Sequence, residues 1–196
     1  MPDRYTNFAE LVANTTEGRD FRVRWRKGTS GLVVIAPHGG GIEPGTSELA
    51  DAVAGSDHSL YVFEGLRSSG SNSLHITSTR FDDPHCLALL AGADQVLALH
   101  GESSEPQCAF MGGLDSGFAD RISRALAAVT TVNVHPQWTG MDPANICNRA
   151  RSGRGVQVEL SRGLRASFFA SLKRDGRRFA TPRFAAFVAA MRSALG

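Results

Sequence analysis

Residues 33 to 45, VVIAPHGGGIEPG, decide the reading of the whole chain. An apolar run stops at a histidine, three glycines follow, and Glu43 appears just before a Pro-Gly turn. The run itself, GLVVIAP (31 to 37), is β-branched and carries no polar residue, as expected of a strand covered on both faces. GTSELADAVAG (45 to 55) follows with helical spacing, Thr46 or Ser47 available as a cap and Gly55 as a stop. A doubly covered strand leading straight into a helix is the start of an α/β unit.

The same alternation continues in both directions. FRVRW (21 to 25) alternates like a strand with one wet face, SLYVFEG (59 to 65) and QVLALHG (95 to 101) read as strands, and DPHCLALLAGA (83 to 93) reads as a helix with proline near its first turn. SGFADRISRALAAV (116 to 129) has helical spacing, TTVNVH (130 to 135) and GVQVELS (155 to 161) read as strands, and TPRFAAFVAAMRSALG (181 to 196) reads as a closing amphipathic helix. No repeat or linker divides the chain, so residues 1 to 196 are expected to form one α/β domain with a largely parallel or mixed sheet flanked by helices. Ligands of such sheets bind at the carboxyl ends of the strands.

Composition narrows the partners. A formal charge of +2 is too small for a nucleic-acid footprint or a basic membrane anchor, and no apolar run approaches the ~18 residues of a membrane span. The basic residues are almost all arginine, with lysine only at positions 27 and 173, which suits carboxylate binding as well as coding bias. Cys86, Cys108 and Cys147 form no C-x-x-C pair and indicate neither a disulfide framework nor a thiolate metal site. Without a secretory leader pattern in MPDRYTNFAELVANTT, a cytoplasmic location is expected.

Three strand ends carry the residues a catalytic metal needs. His38 ends the strand at 32 to 37, with Glu43 five residues on; His100 ends the strand at 95 to 99; Glu159 ends the strand at 155 to 158. A catalytic zinc takes three ligands from His, Asp and Glu and keeps one position open, a need that His38, Glu43 and His100 fill. Glu159 is then an unligated carboxylate able to take a proton. Other readings stay open for each residue. His100 also reads as a hydrogen-bonded loop histidine, the glycine turn as an anion cradle of backbone amides, and Glu159 as a carboxylate paired with a nearby arginine. His75 and Arg80, in the polar loop after the third strand, are candidates to line the cleft. His58, His85 and His135 read as structural.

Taken together, PHGGGIEPGTSELA, LHITSTRFDDP, LALHG, NICNR and GVQVELS resemble the poly-γ-glutamate hydrolase family of phages and bacteria, whose fold is similar to zinc carboxypeptidases. The resemblance implies Zn2+ on His38, Glu43 and His100, Glu159 as general base, and an anionic glutamyl polymer as substrate. It also implies that NICNRARSGRG (145 to 155) corresponds to the carboxypeptidase loop whose Asn-Arg pair receives a substrate carboxylate, here Asn148 and Arg149. The four residues between His38 and Glu43 depart from the two of the wider carboxypeptidase pattern. A phage-related enzyme of this kind could also leave the cell by lysis. The rivals are another zinc amidase, acting on acyl-glutamate or cell-wall peptides, and a metal-free anion-binding module.

Overall fold

The computed structural model describes residues 3–195, which fold around one seven-stranded sheet in the order β1-β3-β2-β4-β7-β5-β6. The strands are β1 (Phe21–Arg26), β2 (Leu32–Gly40), β3 (Ser59–Gly65), β4 (Gln95–Gly101), β5 (Cys108–Gly112), β6 (Thr131–Val134) and β7 (Val156–Leu160). The four central strands β3, β2, β4 and β7 are mutually parallel; β1 pairs antiparallel to β3 and β5 antiparallel to β7, so the sheet is mixed.

The helices are α1 (Phe8–Asn14), α2 (Thr46–Ala54), α3 (Pro84–Ala91), α4 (Ser116–Leu126), α5 (Arg162–Ser167) and α6 (Pro182–Ser193). They divide the core in two because successive strand residues face opposite ways. Val34, Ala36, Val62, Leu97 and Leu99 pack with α2, α4, α5 and α6, while Val33, Ile35, Tyr61, Val96 and Ala98 pack with α1 and α3. Each fully buried side chain of this size contributes about 1.5 to 3 kcal/mol. None of the described helices is long and apolar enough to cross a membrane.

Strand order puts the site where it is. From β2 the chain goes through α2 to β3 on one side, and from β3 through α3 to β4 on the other side of β2. The carboxyl ends of β2 and β4 therefore diverge at a topological switch point, and His38 and His100 lie on them.

Four elements differ from the sequence reading. β2 runs three residues further than expected, because Gly39 and Gly40 pair with Glu64 and Gly65 of β3 after the register shifts by one residue beyond Ala36. That extra residue is a β-bulge, a device that bends a strand and re-aims a side chain, and it falls beside His38. The seven-residue α1, five-residue β5 and six-residue α5 have no expected counterpart, being too short to show a clear period.

Candidate metal centre

The turn after β2 closes on itself. Glu43 N donates to the His38 carbonyl at 2.8 Å, which folds the carboxylate back over the histidine. Gly40 takes a φ of 66°, open to glycine at little cost, and this lets four residues make that return. Gly40 is therefore explained by the geometry that joins His38 to Glu43, while a Cβ at Gly39 or Gly41 would collide with the Ser47 or Ser71 hydroxyl.

His38 is buried and its Nε2 lies 2.8 Å from the Ile76 carbonyl. A carbonyl only accepts, so that nitrogen holds the proton and Nδ1 presents a lone pair. Nδ1 faces Glu43 Oε1 at 3.0 Å and His100 Nδ1 at 3.1 Å, and His100 Nδ1 is 3.7 Å from Glu43 Oε2. Around a tetrahedral ion with bonds of ~2.0 to 2.1 Å, ligand atoms stand ~3.3 to 3.4 Å apart, so this donor set fits a zinc-like cation. Gly101 N donates to Glu43 Oε2 at 2.8 Å and fixes the carboxylate, while His100 Nε2 is buried with no hydrogen-bond partner among the described residues.

The electrostatics are consistent with a site shaped for a cation. Burial disfavours a charged His100, and the neighbouring His38 adds to this against the pull of Glu43, so its pKa is pushed down to about 3. A neutral imidazole is the form that ligates metal. Glu43 is desolvated, yet His38 and the Gly101 amide hold its pKa below the ordinary value. Glu159 is also buried; desolvation first, then the charges of Glu43 and Glu102, push its pKa well up.

His100 and Glu159 are register partners on the parallel strands β4 and β7, so their side chains leave the same face of the sheet. Both line a cavity of about 550 Å³ together with His38, Glu43 and His75. Gln157, two residues before Glu159 and hence on the same face, donates to Glu159 Oε1 at 2.9 Å and accepts from Asn145 Nδ2 at 3.0 Å.

His75 reaches the centre differently. Its ring stacks on His38 with centroids 4.1 Å apart, and Asp3 Oδ1 holds its Nδ1 at 2.6 Å. The donor atoms of His38, Glu43 and His75 also fall within 4.8 Å of one another, which makes a second, overlapping triad. The set with His100 fits better, because His100 is buried and presents Nδ1 directly to the other two, whereas the His75 ring leans on His38 at an interplanar angle of 33° and is partly exposed. Arg80 does not line the cavity. It donates to Asp3 Oδ2 at 3.0 Å and so acts on His75 only through Asp3.

The structure places the expected carboxylate-binding pair off the cavity wall. Asn148 is buried and fully committed: its Oδ1 accepts from the Leu114 and Gly155 amides, and its Nδ2 donates to the Gly140 and Asp142 carbonyls. It ties loops together and offers nothing to a ligand. Arg149, at the end of the short 3-10 turn Ile146–Asn148, is exposed and absent from the cavity wall; its charge is felt instead by the Cys86 thiol on α3.

The sequence reading missed Arg165 on α5. Its buried guanidinium donates to the carbonyls of Pro44 at 2.7 Å, Glu102 at 2.7 Å and Leu160 at 3.1 Å. Those three carbonyls follow Glu43, His100 and Glu159 by one, two and one residues. One fork therefore joins the three segments that carry the site, and only a planar five-donor group can do so. It packs so closely on Gly101 that a Cβ there would lie 2.5 Å from Arg165 Cζ. Arg165→Lys keeps a charge but reaches fewer carbonyls, and is expected to lose at least about tenfold in turnover, since each charged hydrogen bond contributes about 1.5 to 3 kcal/mol. Wild-type turnover and bound metal in the lysine variant would remove this positioning role.

Residues 5–190 match the profile of a family described as poly-gamma-glutamate hydrolase. The YndL protein of Bacillus subtilis (strain 168) is 38% identical over 171 residues, covering 85% of this chain and 67% of YndL. Among solved structures, a bacteriophage poly-gamma-glutamate hydrolase superposes with a TM-score of 0.95 at 32% identity, covering 98% of this chain and 96% of the other. A zinc-free form of YndL superposes with a TM-score of 0.91 at 38% identity, covering 99% and 98%.

Proposed function

This chain belongs to the poly-γ-glutamate hydrolase family, a family of hydrolases, and on that premise we propose that it cleaves the amide bonds of γ-linked polyglutamate with a zinc ion held by His38, Glu43 and His100. The observation that carries the reading is the convergence of the Nδ1 atoms of His38 and His100, 3.1 Å apart, with the two Glu43 carboxylate oxygens at 3.0 and 3.7 Å from them, on the wall of a cavity that also holds the buried carboxylate of Glu159. A relative whose structure is described as zinc-free supports the choice of metal.

Zinc bound there supplies Lewis acidity that polarises an amide carbonyl and acidifies a water molecule. The protein does the rest. Glu159 accepts the proton of the attacking water and delivers it to the departing amine. Gln157 keeps the Glu159 carboxylate oriented. Burial keeps His100 neutral, the Ile76 carbonyl fixes His38 through Nε2 so that Nδ1 faces Glu43 and His100, and the Gly101 amide and the Arg165 clamp hold Glu43 and its neighbours in register. The three buried free thiols suit synthesis in a reducing compartment.

Linkage specificity follows from the substrate's own geometry. In a γ-linked chain each carboxylate sits one carbon from the amide nitrogen, whereas in an α-linked chain it ends a flexible side arm. A site that locates the chain by its carboxylates misplaces the α-linked carbonyl, and an error of ~1 Å costs about a hundredfold in rate. The γ-linked polymer is expected to be cut at least about a hundredfold faster, read as chain-length loss on gels. Equal cleavage of the two polymers would overturn the substrate assignment.

A further inference from the structure

The two flanks of the metal centre differ in charge. The cavity that holds Glu159 is walled by amides, hydroxyls, Trp138 and the site residues, and no arginine or lysine lines it. A second cavity of about 1140 Å³ opens from the same centre, sharing Glu43, His75, Gly101 and Glu102 with the first, and its wall contains Arg4, Arg162, Arg165 and Lys173. It continues past Gly70 and Asn72 into a third, lined by Lys173 and Arg174. One continuous groove thus leaves the centre along a basic flank.

Not all of these cations are spoken for. Arg165 is bound to carbonyls and Arg162 is paired with Glu105. Arg4 and Lys173 are exposed, and among the described residues neither side chain has a hydrogen bond or an ion pair; Arg4 only rests 5.5 Å over the Tyr5 ring. The carboxylates on the same wall are engaged elsewhere: Asp3 with His75 and Arg80, Glu102 with Ser104, and Glu43 with the centre. The groove therefore presents unneutralised positive charge on one side of the metal only, in a chain whose total charge is just +2.

We infer that this basic groove is the subsite for the extended part of an acidic polymer, with Arg4 and Lys173 binding successive free carboxylates of the glutamyl chain on one side of the scissile bond. The inference rests on the polyglutamate reading for the identity of the polymer. Charged rim contacts of this kind are screened by salt and act mainly on binding rather than on the chemical step.

The test is equilibrium binding of fluorescently labelled γ-linked polyglutamate to zinc-loaded Glu159→Gln protein, with Arg4→Ala and Lys173→Ala added together, at low and high salt. Two exposed contacts are expected to raise the Kd by about five- to tenfold at low salt, with less salt dependence than in the parent. Zinc content should not change. Arg154→Ala serves as control, since Arg154 is exposed at the opposite end of β7 from Glu159 and should leave the Kd as it was. An unchanged Kd and salt slope in the double variant, or an equal loss in the control, would overturn the groove. Failure of wild-type protein to cleave the γ-linked polymer would instead overturn the substrate reading, and the binding result would still decide the groove.

Discussion

Replacing His100 with alanine is expected to remove the bound zinc and the hydrolysis together. In the proposed site His100 is one of three donors, and burial holds its ring neutral, with a pKa of about 3. Two remaining ligands, His38 and Glu43, leave an ion half held. Even outer-shell changes around zinc cost about 10- to 100-fold in affinity, so losing a direct ligand should cost at least the upper end of that range. His38→Ala should behave alike, whereas His75→Ala should keep its zinc, because Asp3 already holds the His75 ring at a stacking angle. Elemental analysis of the dialysed proteins, alongside thermal melts that confirm folding, separates the two overlapping triads. A full equivalent of zinc in His100→Ala, with loss in His75→Ala, would transfer the third ligand to His75.

Much of this centre was legible in the residue order, for a physical reason. Parallel strands buried on both faces announce themselves as unbroken apolar runs, and a polar residue at the end of such a run sits at the rim where α/β proteins bind ligands. His38, His100 and Glu159 were visible on that ground alone, and the structure sets all three around one cavity with Glu43. The bulge that aims His38 was not visible, because it is a mismatch between two strands and belongs to neither sequence by itself.

Arg165 and Asp3 escaped for a related reason. Arg165 acts across gaps of 121 and 63 residues, to Pro44 and Glu102, and Asp3 across 72 residues to His75. No local pattern encodes such reach. Arg149 shows the opposite limit: its motif sits beside the Glu159 strand, but the 3-10 turn before it buries Asn148 and leaves the arginine exposed. The positive charge suited to an acidic chain lies instead on Arg4 and Lys173, two residues with nothing in their immediate surroundings to single them out.

Glu159→Gln is expected to lower turnover by a factor on the order of 10² to 10⁴ while zinc stays bound. The amide keeps the size of the carboxylate, and its carbonyl still accepts from Gln157, so the cavity wall is preserved. What disappears is the ability to take a proton. The substitution also removes one of three crowded carboxylates, because Glu159 feels the charges of both Glu43 and Glu102, so the melting temperature of the variant should not fall. A loss of turnover with intact zinc and stability therefore reports chemistry rather than folding. Near-normal turnover would move the proton to another acceptor. Glu64 is poorly placed, being paired with Arg22 and Arg24 along the β1–β3 edge. Glu102 shares the cavity, but its carboxylate is bound to the Ser104 amide and hydroxyl, and freeing it would first break both bonds. Glu159 has no such tie beyond a single amide donor, which leaves it the carboxylate best able to accept a proton and release it again within one turnover.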